Sequence, residues 1–107
     1  MATKTFDVKA HNLTLWQKKT ATTGVIYQGI LQCYGANQES FVVHALHHSN
    51  TVATPPDCDM SRNSGNIYVR FADFQQYVDL VRTETNVQAT IDDDPSNMNL
   101  YAYVLPT

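Results

Sequence analysis

Basic residues are few in this sequence, and they are not grouped. Seven lysines and arginines are spread over the 107-residue chain, and the formal net charge is −3. Nucleic acids bind to clustered positive surfaces that replace their counterions, and the sequence contains no such cluster. We therefore expect no nucleic-acid partner.

Long apolar segments are also missing. The longest apolar run covers residues 100–105, which is too short to cross a bilayer. Residues 1–10 alternate between polar and apolar side chains, whereas a secretory signal needs a continuous apolar core. These patterns predict a cytoplasmic protein that does not contact a membrane.

Only two cysteines are present, Cys33 and Cys58. A cytoplasmic compartment keeps thiols reduced, so we expect both to be free. Cys33 lies in an apolar run and is predicted to be a small buried hydrophobic residue. Cys58 lies between Asp57 and Asp59, whose negative charges should raise its pKa and weaken it as a nucleophile.

Motifs that would identify a reaction or a cofactor are absent. The four glycines are isolated and form no phosphate-binding loop, and no Gly-x-Ser-x-Gly segment is present. We therefore expect no cofactor, and the sequence leaves open whether the protein is an enzyme.

Most of the sequence alternates between polar and apolar residues, a pattern that is typical of β-strands with one buried face. A Gly-Ala-Asn-Gln segment at residues 35–38 predicts a hairpin turn, and residues 49–65 form the longest irregular stretch. The predicted strands cover residues 5–15 with a break near 11–12, then 25–34, 41–48, 67–71, 87–91 and 98–105.

One segment changes to helical spacing. Phe74, Tyr77, Val78 and Val81 recur at intervals of three and four residues, which predicts a helix over residues 73–84. Asp73, with a glutamine three residues later, is predicted to be its N-cap.

The order of these elements predicts a single α+β domain over residues 1–107. We expect an antiparallel sheet of five to six strands, in the order β-β-β-β-α-β-β, with the helix packed on one face.

One helix covers only one face of a sheet, yet the predicted strands carry more aromatic residues than the core under one helix can hold. An aromatic face that stays uncovered is typical of a subunit or ligand-binding surface. We therefore expect a non-enzymatic binding or interaction domain that is a homodimer, and a pocket for a small-molecule or protein ligand is the other use of such a face. The candidate binding residues are Tyr27, Tyr68, Arg70, Tyr101, Tyr103, His44 and His48.

A small enzyme is the alternative hypothesis. In it, His44 or His48 would be the general base, and Tyr68 or Arg70 would orient the substrate.

Two segments superficially resemble metal sites. On a strand, His44 and His48 share a face but lie about 13 Å apart, too far to bind one metal ion. The aspartates at residues 57 and 59 would have to fold back over this strand to complete a mixed site, so we expect no metal. Residues 92–97, three aspartates followed by proline, serine and asparagine, lack the spacing of a calcium loop and predict a solvated hairpin turn.

Overall fold

A computed structural model describes residues 3–19, 26–47, 56–84, 86–94 and 98–102, and for residues 16–19 and 102 it describes the backbone alone. These residues form strands and one helix, so the predicted α+β class is confirmed. The elements are β1 (Thr3–Asp7), β2 (Ala10–Lys19), β3 (Ile26–Tyr34), β4 (Ser40–Leu46), β5 (Asp57–Asp59), β6 (Ser64–Arg70), α1 (Phe71–Thr83), β7 (Val87–Asp92) and β8 (Asn99–Ala102).

The strands divide into two sheets where the sequence predicted one. The larger sheet has five strands in the order β2-β3-β4-β6-β5, and the smaller has three in the order β1-β7-β8. The segment predicted as one interrupted strand is two strands, β1 and β2, and each belongs to a different sheet. Alternation within a strand reports which face is buried, but it does not report which strands pair.

One pair of neighbours in the larger sheet is parallel. β4 pairs with β6 in parallel register, with His44 beside Tyr68, while the other pairs are antiparallel. A parallel pair needs a long crossover between its strands, which accounts for the long segment predicted as irregular at residues 49–65. The end of that segment is ordered, because β5 forms a hairpin with β6.

The helix begins two residues earlier than predicted. It follows β6 directly, its N-cap residue is Arg70, and no side chain caps it. The prediction that Asp73 is the N-cap is therefore wrong. Asp73 lies in the first turn, where a carboxylate stabilises the positive end of the helix, and its Oδ2 is 3.5 Å from Arg70 Nε.

The core lies between the larger sheet on one side and both the helix and the smaller sheet on the other. Leu31 pairs with Val43 and Cys33 with Phe41, and all four side chains are inaccessible to solvent. The helix contributes its predicted apolar stripe, of which three residues are buried. The core is completed by buried side chains of the smaller sheet, namely Phe6, Val87, Ala89, Ile91 and Leu100, together with Met98.

The predicted hairpin turn connects β3 and β4, and it positions a buried acid. Glu39 is only 4% exposed, and its Oε1 accepts a hydrogen bond of 2.7 Å from the backbone N–H of Asn37. Its Oε2 lies 3.7 Å from Lys4 Nζ on β1, so this carboxylate joins the hairpin to the smaller sheet. The positive φ angle of the turn falls on Gln38 (67°), although glycine and asparagine adopt such angles more readily.

Within the described residues, no helix has the length and apolar character needed to cross a membrane.

Candidate functional site

The face of the larger sheet that points away from the core is the main candidate surface, and we call it the outer face. The register places Ile30 beside His44 and His44 beside Tyr68, with Gln32, Val42 and Asn66 in the neighbouring rows. These six side chains are half-buried. The helix and the smaller sheet contact the opposite face, so no described element packs on the outer face. The prediction of a helix on one face of the sheet is confirmed.

Three aromatic rings meet at the centre of the outer face. The His44 imidazole stacks on the Tyr68 ring, with centroids 4.5 Å apart and planes inclined by 16°. Tyr27, from β3, lies on the other side of His44, with a centroid separation of 5.9 Å and a tilt of 57°. Three adjacent strands thus hold one imidazole between two phenols.

A chain of hydrogen bonds connects this stack to β5. Asn66 Nδ2 donates to Asp57 Oδ1 at 2.7 Å, and Tyr68 Oη donates to Asp57 Oδ2 at 3.2 Å. The Asn66 amide therefore turns its oxygen toward His44, and Oδ1 lies 3.0 Å from Nε2. An amide oxygen only accepts, so the proton of the neutral imidazole is on Nε2 and the lone pair is on Nδ1. We call Tyr27, His44, Asp57, Asn66 and Tyr68 the outer-face cluster.

The electrostatics of the cluster keep the His44 imidazole and the Tyr68 hydroxyl neutral. Burial lowers the pKa of His44, and the bond to Asn66 and the charge of Asp57 offset this only in part. Burial and the Asp57 carboxylate raise the pKa of Tyr68 to about 12, so its hydroxyl stays protonated. Among the side chains that the structure describes, no lysine or arginine lies within ion-pair distance of Asp57. The carboxylate of Asp57 therefore has no cationic partner among the described side chains.

The structure brings together three of the candidate residues from the sequence. Tyr27, His44 and Tyr68 form the stack, whereas Arg70 is at the end of β6 and pairs with Asp73. Tyr101 lies on the smaller sheet, where its hydroxyl donates to Gln88 Oε1 at 2.7 Å. His48 and Tyr103 lie outside the described residues.

Sequence reasoning missed Asn66 as a site residue, and it did not include Asp57 among the candidate binding residues. The β5–β6 hairpin does fold Asp57 back toward the histidine strand, as a mixed site would require. However, the described residues contain no group of three or more side chains that could hold a metal ion. The available signal for Asn66 was its position two residues before Tyr68, which places both side chains on one face of a strand.

Two grooves lie on the helix side of the sheet, away from the cluster. The larger is about 440 Å³ and lies between α1 and the strands β6 and β8, where its walls include Tyr77, Leu80 and Leu100. The smaller is about 230 Å³ and runs between α1 and β2. Neither groove is lined by a histidine or by a residue of the outer-face cluster.

Neither cysteine is poised for chemistry. Both are free thiols, and burial raises the pKa of Cys33 to about 12. Burial also raises the pKa of Cys58, and the charges of Asp59, Asp93 and Asp92 add to the effect. The raised pKa values agree with the prediction that neither thiol is an activated nucleophile.

The acidic turn after β7 uses one carboxylate for local structure. Asp92 is buried, and it accepts hydrogen bonds from Thr3 Oγ1 at 2.6 Å and from the backbone N–H of Asp94 at 2.8 Å. Residues 95–97 of the turn lie outside the described residues.

The chain matches no protein-family model, no curated protein and no solved structure.

Proposed function

We propose that this protein is a non-enzymatic binding domain whose outer face contacts a protein partner at the outer-face cluster. A single observation carries the proposal. Asp57, a carboxylate that pairs with no lysine or arginine among the described side chains, is held against a stack of three aromatic rings on a sheet face that no described element covers.

The chemistry of the cluster favours a partner that presents a cationic donor. Tyr68 and Asn66 already donate to Asp57, and His44 Nε2 already donates to Asn66. What remains for a partner is the acceptor capacity of Asp57, the lone pair of His44 and the faces of the phenols. An arginine side chain suits all three, because its N–H groups can donate to a carboxylate and to an imidazole lone pair and its plane stacks on aromatic rings.

The position of the two grooves and the composition of the outer face favour a protein over a small molecule at the cluster. Small-molecule sites are concave, and the two grooves described above lie on the other side of the sheet. Tyrosine is enriched at protein interfaces, and the outer-face cluster contains two tyrosines. A homodimer remains part of the proposal, and the scattered basic residues give no reason to propose a nucleic acid.

The cationic preference can be tested by NMR titration with a probe and its neutral isostere. N-acetyl-arginine amide should shift the amide signals of β4 and β6 around His44 and Tyr68 more than N-acetyl-citrulline amide does at equal concentration. Asp57→Asn should remove the difference between the probes. Asp73→Asn, which changes a half-exposed carboxylate on the helix, should leave it intact. Equal shifts from both probes, or shifts centred elsewhere, would contradict the proposal.

One observation favours a second candidate function. The bond to Asn66 leaves His44 Nδ1 with a lone pair on a neutral ring, which is the state that a general base needs. Hydrolysis of p-nitrophenyl acetate tests this alternative, with His44→Gln as the variant and His47→Gln as the matched control. The binding proposal expects equal rates for all three proteins. A rate for the natural protein at least tenfold above that of His44→Gln, with His47→Gln unaffected, would replace it by the enzymatic one.

A further inference from the structure

We infer that two copies of this chain pair through β2, in antiparallel orientation, to form one continuous ten-stranded sheet. β2 is the outermost strand of the larger sheet, and β3 binds one of its two edges. No other described strand pairs with the second edge. An unpaired strand edge exposes backbone donors and acceptors that another strand can satisfy.

The first eight residues of the exposed edge of β2 lack the charged side chains that two other edges carry. Charged side chains discourage edge pairing, and β1 carries Lys4 and Asp7, while the three-residue β5 carries two aspartates. By contrast, residues 10–17 of β2 contain neither a charged residue nor a proline, and the two lysines of the strand, Lys18 and Lys19, lie at its end, beyond an irregularity in its pairing with β3. β2 is therefore the long edge of this domain that is open to another strand.

The side chains next to this edge favour a second copy as the occupant. Leu13 and Leu15 of β2 point to the helix side and line the groove of about 230 Å³, whose apolar walls include Phe71, Phe74 and Val78 of α1. Leu15 is 61% exposed, the highest exposure among the large hydrophobic residues that the structure describes. A strand added there needs apolar residues at alternate positions on the helix side, and a second β2 supplies them as Leu13 and Leu15.

Antiparallel pairing also fixes how the two outer faces are arranged. The twofold axis of such a pair is perpendicular to the sheet, so equivalent side chains of the two copies lie on the same side. Leucines then meet leucines between the two helices, and both outer faces point the same way. Five strand spacings separate the two copies of β4, which places the two His44 clusters about 24 Å apart. The dimer would present two binding surfaces to one partner.

Sedimentation equilibrium of untagged, reduced protein tests this interface. The natural chain should have twice its monomer mass of 12.0 kDa, and Leu15→Lys should have the monomer mass. Leu15→Lys places a charge on an already exposed position, and far-UV circular dichroism should show an unchanged fold. Tyr101→Lys is the matched control, since Tyr101 is exposed on the edge strand β8, and it should remain dimeric.

Amide hydrogen exchange gives an independent reading of the same interface. Protection of residues 10–15 should fall when the natural chain is diluted below its dissociation constant, while protection of the central β3 and β4 stays constant.

A monomeric natural chain, or a dimer that survives Leu15→Lys, would overturn the inference. Loss of the dimer in Tyr101→Lys or in His44→Gln would also overturn it, by assigning the interface to β8 or to the outer face. Binding at the outer-face cluster is tested separately, so either proposal can fail without the other.

Discussion

Val8 and Lys9 are adjacent in the chain, yet their backbone N–H groups bind to different sheets. Val8 donates to Val87 O in the smaller sheet at 2.9 Å, and Lys9 donates to Tyr34 O in the larger sheet at 2.8 Å. The chain therefore leaves one sheet and enters the other within a single peptide unit. This junction holds the N-terminal end of β2 against the hairpin of β3 and β4.

Lys9→Pro should destabilise the protein by about 1–3 kcal/mol, because proline removes the N–H group and leaves Tyr34 O without its donor. Lys9→Ala keeps the N–H group and removes only an exposed side chain, so it should change the stability by less than about 0.5 kcal/mol. Urea unfolding followed by circular dichroism measures both. Equal stabilities of the two variants would show that the bond to Tyr34 contributes nothing.

Gly65→Ala should also destabilise the fold, by about 1–3 kcal/mol, through overpacking between the two sheets. A Cβ at this position would lie 2.6 Å from Met98 Sδ and 2.7 Å from Ile91 Cγ2. The control is the double variant with Met98→Ala, which removes one of the two clashing groups. In a double-mutant cycle from urea unfolding, the cost of Gly65→Ala should be smaller in the Met98→Ala background. An equal cost in both backgrounds would place the strain elsewhere.

Glu39 should make stability depend on pH in the acid range. Burial alone would raise its pKa, but the backbone N–H groups of Asn37 and Glu39 and the Lys4 ammonium outweigh burial and lower it. A carboxyl with a lowered folded-state pKa stabilises the protein above its unfolded pKa, about 4.3, and this contribution is lost as the pH falls through the folded value.

Glu39→Gln is the variant that tests this dependence. The urea midpoint of the natural protein should fall more steeply below pH 4.3 than that of Glu39→Gln, because the variant has no proton to bind at this position. The pKa of Asp92 is also lowered, mainly by the hydrogen bond from Thr3, so part of the acid dependence should persist in the variant. Identical pH profiles for both proteins would contradict the prediction.

His44 should titrate below its ordinary pKa of about 6.5 and should carry its proton on Nε2 at neutral pH. Long-range ¹H–¹⁵N NMR spectra measure both properties. Asp57→Asn should lower the pKa further, since the carboxylate partly offsets the effect of burial. The depressed pKa also means that His44 stabilises the fold above about pH 6.5 and that this contribution is lost as the pH falls through the folded value. A proton on Nδ1 would contradict the orientation of Asn66.

The outer-face cluster could be predicted from the sequence only in part. Alternation along three predicted strands places Tyr27, His44 and Tyr68 among the aromatic and histidine residues of one sheet, and these were candidates from the sequence. Asp57 and Asn66 joined them only through the β5–β6 hairpin and the parallel register of β4 and β6. The open edge of β2 likewise could not be predicted, because it depends on which strand lies outermost.

What the sequence determined by itself is local. Periods of two and of three to four residues identified most strands and the helix, and the turn at residues 35–38 was evident from its residue types, because these signals arise from neighbours along one chain segment. The tertiary structure alone decided the division into two sheets and the parallel pairing of β4 with β6. It also decided that the helix starts at Phe71 in place of Asp73, and that Asp57 and Asn66 join the outer-face cluster. Each of these depends on pairing between segments far apart in the chain, which hydrophobic alternation leaves undetermined because every strand with one buried face shows the same pattern.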